Sequence, residues 1–124
     1  MSEQRAHPRY AIELDVELDL TSEGNRKIRG RTHDISRGGF CMLAAHGVPD
    51  VASGSPTAVR MALVFSETEF SEQLTLYGTV MWCTRLKEGT QLGVKFDPLS
   101  GQSQGYLDLF IKFLEEGLED EPET

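Results

Sequence analysis

The sequence predicts an all-β domain of six strands, an antiparallel barrel or sandwich, followed by a single C-terminal α-helix. Three observations predict it. Ile12, Leu14, Val16, Leu18 and Leu20 alternate without a break with Glu13, Asp15, Glu17 and Asp19, the period of a strand with one buried face. Further short apolar runs follow, joined by hairpin-sized polar connections. After Asp97-Pro98 the period changes to that of a helix.

The elements follow in order. Residues 1–9 are polar, and Pro8 has no N–H to donate, so they read as a flexible arm. The strand from Ile12 to Leu20 should expose its four acids to water, a row that repels itself and deters edge-to-edge pairing. A polar run, Thr21 to Lys27, with Gly24-Asn25 inside it, turns the chain. The second strand covers Ile28 to Asp34, Gly38-Gly39 break it, and the third covers Phe40 to Ala45. Glycines and prolines make His46 to Pro56 a loop. Val59, Met61, Leu63 and Phe65 alternate as a fourth strand, and Ser66 to Glu72 connect it onward. The fifth, Leu74 to Thr84, is apolar on both faces. Glu88-Gly89 turn the chain into the sixth, Leu92 to Phe96. Leu107, Phe110, Ile111, Leu114 and Leu118 then form a helical stripe, with Ser103 or Ser100 near its start and Gly117 at its fraying end. The expected organisation is an arm over residues 1–10, a barrel with its helix over 11–118, and a disordered acidic tail over 119–124. The helix is expected to bury its stripe on its own barrel, with a partner surface as the alternative.

Composition narrows the function. A chain of 124 residues matches the commonest domain size and can bury roughly two-thirds of its unfolded surface. No apolar run approaches the roughly 18–20 residues that span a membrane, and no basic-then-apolar leader opens the chain, so a cytoplasmic protein without membrane insertion is expected. Cys41 and Cys83 each lie in an apolar run and read as packed thiols. His7, His33 and His46 are scattered, which argues against a zinc site. The net charge is −8, with residues 1–47 balanced and the excess acid confined to 48–124. So acidic a chain is repelled by nucleic acid and by anionic membranes. An anion that it binds must be small and held by local arginines. No serine or cysteine has a nearby base in sequence, and Glu115-Glu116 read as a solvated helix end, so no enzyme is expected.

Two stretches carry the chemistry that remains. Arg5 and Arg9 are permanently charged forks that match a phosphate or the O6/N7 edge of guanine, and an arm can close them over a ligand. In Asp34-Ile35-Ser36-Arg37-Gly38-Gly39, strand geometry puts Asp34 and Ser36 on one face and Ile35 in the core. A carboxylate can accept from guanine N1–H and N2–H, a hydroxyl can donate or accept beside it, and Gly38 and Gly39 permit positive φ and close approach. The alternative for the hexapeptide is an Asx-type turn in which Asp34 and Ser36 cap the backbone. Trp82 reads as a core tryptophan, with stacking on a base as its alternative.

Arg5-x-x-x-Arg9 and Asp34-x-Ser36-x-x-Gly39, in this order around an acid-tipped strand, resemble the PilZ domain family. Gly78-Thr79-Val80-Met81-Trp82 and Leu92-Gly93-Val94-Lys95-Phe96 are similar to that family's later strands. The resemblance implies a six-stranded antiparallel barrel and a receptor for the bacterial second messenger cyclic di-GMP. It assigns Arg5 and Arg9 to phosphate and guanine edges, Asp34 and Ser36 to a guanine polar edge, and Gly39 to close approach. Where many members have one more arginine ahead of the pair, this chain has Gln4, which leaves open whether one or two ligand molecules bind. Arg37, Gly38 and Trp82 are candidate additional contacts, with Arg37 the substitute for the missing charge. A receptor of this kind implies an effector partner in motility or biofilm control, and a homodimer is compatible with it. The competing expectations are a PilZ-fold adaptor that binds no nucleotide and a small-barrel single-strand nucleic-acid binder, which the acidity disfavours.

Overall fold

The structure, a computed structural model, describes residues 8–20, 26–44, 51–64, 71–98 and 101–119. The strands among them are β1 (Tyr10–Ala11), β2 (Asp15–Leu20), β3 (Arg26–Ile35), β4 (Gly39–Ala44), β5 (Ser55–Val64), β6 (Ser71–Leu86) and β7 (Gly89–Phe96), followed by helix α1 (Gly101–Glu119). Neighbours run in the order β1-β3-β2-β5-β6-β7-β4, and β4 also pairs with β3. That last pairing closes β2 to β7 into a six-stranded antiparallel barrel, with β1 attached outside the ring on β3. The Gly24-Asn25 turn, residues 45–50, residues 65–70 and the tail beyond 119 lie outside the described residues.

Burial follows the alternation. Leu18, Leu20, Ile35, Met42, Met61, Leu63 and Leu92 are fully buried inside the barrel, each a gain of about 1.5–3 kcal/mol over exposure. Leu107, Phe110 and Ile111 of α1 are buried in the same core, with Leu114 partly buried against it. The helix therefore packs on its own barrel, and Ser103 donates its hydroxyl to the Thr75 carbonyl at 3.2 Å. It begins at Gly101, ahead of Ser103 and next to the alternative start Ser100, which lies outside the described residues, and continues through Gly117 to Glu119. Among the described residues no helix is long and apolar enough to cross a membrane.

The first strand is broken where continuous alternation was expected. Thr32 inserts its hydroxyl into the ladder, accepting from Leu14 N–H at 2.9 Å and donating to the Ile12 carbonyl at 2.5 Å. Residues 12–14 therefore leave the strand, and the two residues before them pair separately, Tyr10 with Ile35 and Ala11 with Asp34. The end of the arm is thus tied to the sheet at Tyr10.

The acids of β2 do not form an unpaired row either. β2 lies inside the ring between β3 and β5, with Glu17 opposite Arg29 on one side and Arg60 on the other. Arg29 Nε is 2.9 Å from Glu17 Oε2, and Arg60 bonds the other oxygen. Arg31 lies 3.4 Å from both Glu13 and Asp15. Cross-strand arginines cancel the repulsion, and closure of the ring removes the edge that the acids would have guarded. The Arg29 hydrogen bond holds the Glu17 carboxyl below its ordinary value of 4.5, against desolvation that pushes the other way and with further help from Arg60.

Because the folded value is the lower one, the stability from Glu17 is fully present above the ordinary carboxylate value and is lost as pH falls through the folded value. Glu17→Gln should lower the melting temperature at pH 7, and the gap to wild type should narrow as pH is taken from 5 towards 3. A gap that stayed constant over that range would mean that the ionised carboxylate contributes nothing.

Candidate functional site

One corner of the barrel gathers most of the sequence-predicted residues. β3 ends at Ile35, whose side chain is fully buried as expected, and the chain turns through Ser36, Arg37 and Gly38 into β4. The turn is held by the Ser36 N–H on the Gly39 carbonyl at 2.8 Å and by the Gly38 N–H on Ser36 Oγ at 3.0 Å. Ser36 is buried. It caps the corner and does not share a strand face with Asp34.

Neither glycine of the corner has a positive φ; among the described residues that conformation belongs to Gly54, Gly89 and Gly101. What the corner requires is close approach between strands. A Cβ on Gly39 would lie 2.2 Å from the Val94 carbonyl oxygen of β7, and the Phe96 N–H bonds the Gly38 carbonyl at 2.9 Å.

The arm reaches this corner directly. Arg9 Nη1 donates to Asp34 Oδ1 at 2.6 Å, and His33 Nδ1 lies 3.0 Å from the other carboxylate oxygen. Asp34 is mostly shielded, at 17% side-chain exposure, while Arg9 is 40% exposed. The two stretches singled out by sequence thus meet at Arg9 and Asp34. Gln4 and Arg5 lie outside the described residues.

Beside this pair is an open cleft of about 240 Å³, bounded by Arg9, Ser36, Gly38-Gly39, Cys41, Trp82 and Lys95. Asp34 is not part of its lining and holds Arg9 from behind. Trp82 is 42% exposed, which corrects the core assignment. The cause is a bulge in the β6–β7 ladder between Val80 and Trp82. Leu74, Leu76 and Val80 point inward, and an unbroken strand would turn Trp82 inward too; the extra residue Met81 turns it out. Its indole then lies over Gly93, where a Cβ would come within 2.3 Å of Nε1.

Arg37 does not face the cleft. Its guanidinium sits 3.4 Å from Asp108 and 3.5 Å from Glu115 of α1, so it ties the corner to the helix. Glu115 also accepts the Tyr10 hydroxyl at 2.8 Å. It is therefore a tether between helix, corner and arm, not a solvated helix end.

Cys41, Gly93 and Lys95 are among the lining residues that the sequence did not mark as part of a site. They alternate with Phe40, Met42, Leu92, Val94 and Phe96, and Cys41 is itself buried, as expected of a packed thiol; the sequence pattern did not separate the two faces of these strands. It gave no sign that β4 and β7 would place them beside Trp82. Cys41 is opposite Asp34 on one side and Gly93 on the other. Burial, and then the Asp34 charge, push its thiol upward, and Gln91 Nε2 donates to its sulfur at 3.3 Å. A thiol so placed stays protonated at neutral pH. Among the described residues no cluster of three or more metal-ligating side chains occurs.

The PilZ domain family model matches residues 3–113. The chain belongs to the PilZ domain family. The fold of this PilZ domain is similar to that of MotI/DgrA, an inhibitor of motility from Bacillus subtilis, with a TM-score of 0.74 and 20% identity over 98% of this chain and 55% of that one. It is similar to the PilZ domain of YcgR from Escherichia coli, solved with c-di-GMP, with a TM-score of 0.68 and 18% identity over 95% and 96% of the two chains. It is also similar to K. pneumonia MrkH in its c-di-GMP complex, with a TM-score of 0.65 and 13% identity over 97% and 57%. At these identities the likeness establishes the fold. The chain spans about half the length of MotI and MrkH. A search of curated proteins gives no match.

Two glycine substitutions separate the architecture of this PilZ domain from its cleft. Gly39→Ala drives a methyl into the backbone of β7 and should cost about 1–3 kcal/mol in urea unfolding, the usual range for overpacking. Gly93→Ala meets only an exposed indole that can swing aside, so its stability cost should be smaller while Trp82 fluorescence shifts. Equal stability losses with unchanged fluorescence would mean that Trp82 is not seated on Gly93.

Proposed function

We propose that this PilZ domain binds cyclic di-GMP at the Arg9–Asp34 corner and passes the binding on to a partner protein. The observation that carries this reading is the direct contact of the two motifs at the rim of a cleft. The Arg9–Asp34 pair puts a guanidinium fork and a carboxylate, the complementary recognition groups for guanine, side by side. Trp82 supplies an exposed aromatic face for a base, a contact worth about 1–3 kcal/mol. Ser36 and the corner glycines form the adjoining wall. The cleft is smaller than the roughly 300–1,000 Å³ usual for ligand pockets. It would seat part of a dinucleotide, and Arg5 and Gln4 of the arm would meet the rest. Similarity in fold to the c-di-GMP-bound YcgR domain and MrkH supports the choice of ligand.

Relay to a partner has a structural basis in the tethers. Tyr10 follows Arg9 in the chain, and Arg37 lies between the two site residues Asp34 and Gly39; both end on Glu115 of α1. A ligand that moved Arg9 would act on β1 and through it on the helix. Control of motility or biofilm formation is the process we assign, in keeping with the similarity to an inhibitor of motility.

A second reading, a PilZ-fold adaptor that binds no nucleotide, is favoured by one observation. Arg9 and Asp34 satisfy each other, so the corner is electrostatically complete by itself.

Calorimetric titration with cyclic di-GMP decides between the two. The receptor should bind with micromolar or tighter affinity, about −8 kcal/mol. Arg9→Ala should weaken binding about ten-fold or more, as expected for one charge-assisted contact. No heat at high protein concentration selects the adaptor, and equal affinity for GTP or cyclic AMP overturns recognition of a two-guanine ligand.

A further inference from the structure

The cleft is lined by two cations, Arg9 and Lys95, and they are not in the same electrostatic state. Arg9 is matched by Asp34 at 2.6 Å. Among the described residues no carboxylate lies within ion-pair distance of Lys95, which is exposed on the outer face of β7 between inward-facing Val94 and Phe96. Its strand neighbours are Gly39 on β4 and Thr79 on β6, neither of them charged. Asp97, two residues on and just past the end of β7, accepts the Thr79 hydroxyl at 3.2 Å. The local positive charge of the cleft therefore comes from Lys95.

Its position suits a phosphate. Two residues along the same strand from Lys95, about 6.6 Å away by strand rise, lies Gly93 under the Trp82 indole. A base resting on that indole would direct its sugar and phosphate along the cleft, and Lys95 stands at the end beside the Gly38-Gly39 corner. An ammonium on a flexible four-carbon stem acts as a point charge for a phosphate without demanding bidentate geometry. Arg37, the other cation near the corner, is engaged by Asp108 and Glu115.

We propose that Lys95 is a phosphodiester-binding residue of the cleft, supplying from β7 the charge that Gln4 does not supply from the arm. The assignment rests on the cyclic di-GMP reading and adds to it a residue outside the RxxxR and DxSxxG motifs. Among the described residues the Lys95 side chain joins no ion pair or side-chain hydrogen bond, so its replacement should leave the fold intact.

The test is calorimetric titration of the whole chain with cyclic di-GMP at low and high salt, for wild type, Lys95→Gln, Lys95→Arg and Lys95→Glu. Lys95→Gln should weaken binding roughly five- to ten-fold, Lys95→Glu more, and Lys95→Arg should stay within about three-fold of wild type. The salt dependence of Lys95→Gln should be shallower than that of wild type, because one screened charge contact is gone. Melting temperatures should be unchanged in all three. If wild type binds and Lys95→Gln binds within two-fold with the same salt dependence, the Lys95 assignment is overturned and the receptor reading stands. If wild type itself does not bind, both are overturned.

Discussion

Strands β4 and β7 can lie side by side at the rim of the cleft only because Gly39 has no Cβ, since the carbonyl of Val94 occupies the place where one would be. That approach closes the barrel. β4 is the strand that joins β3 to β7, and without it the sheet would have two open edges and a split core. The same approach puts Cys41, Gly93 and Lys95 beside the corner that follows Asp34. Closure of the fold and assembly of the cleft are thus one packing event, and the glycine at its centre has an architectural role whatever it does toward a ligand.

Electrostatics organise the outer surface around this frame. Asp15 and Glu17 of β2 face arginines of β3 and β5, which neutralises their charge within the barrel wall. At the corner the pairing is of longer range: Arg9 with Asp34 across 25 residues of chain, Tyr10 with Glu115 across 105, and Arg37 with Asp108 across 71. Three segments remote in sequence, the arm, the β3–β4 corner and the helix, are held by a few polar contacts at partly exposed positions. Such contacts are individually weak and leave this region easier to rearrange than the apolar interior, which suits a place where binding must be converted into motion.

Much of this was legible in the sequence because it rests on local rules. Period-two alternation marked β2 and β5, apolar runs between turn residues marked β3 and β7, and the i, i+3, i+4 stripe marked α1 with Leu107, Phe110 and Ile111 inward. The meeting of Arg9 with Asp34 was anticipated from chemistry and family resemblance together. What was not legible depended on contacts between segments. Nothing local to Ile12–Leu14 reveals that Thr32 will interrupt their strand, and nothing near Arg37 reveals acids seventy residues away. The misassignment of Trp82 had a more specific cause, because it shares the parity of Leu74, Leu76 and Val80 and an uninterrupted strand would bury it.

That parity is broken twice, and both breaks serve the same corner. In β3 the ladder slips between Thr32 and Asp34, and in β6 it slips between Val80 and Trp82. Thr32 and Val80 are inward, so in each strand the residue two further on would be inward as well. Each inserted residue, His33 or Met81, reverses the phase and delivers a functional group, a carboxylate or an indole, to the outside. Bulges are known to re-aim side chains near binding sites; here the site's composition is encoded as much in the count of residues as in their identity. Removing His33 or Met81 would leave every recognition residue in the sequence and turn one of them into the core. A substitution-based comparison of motifs would miss that loss entirely.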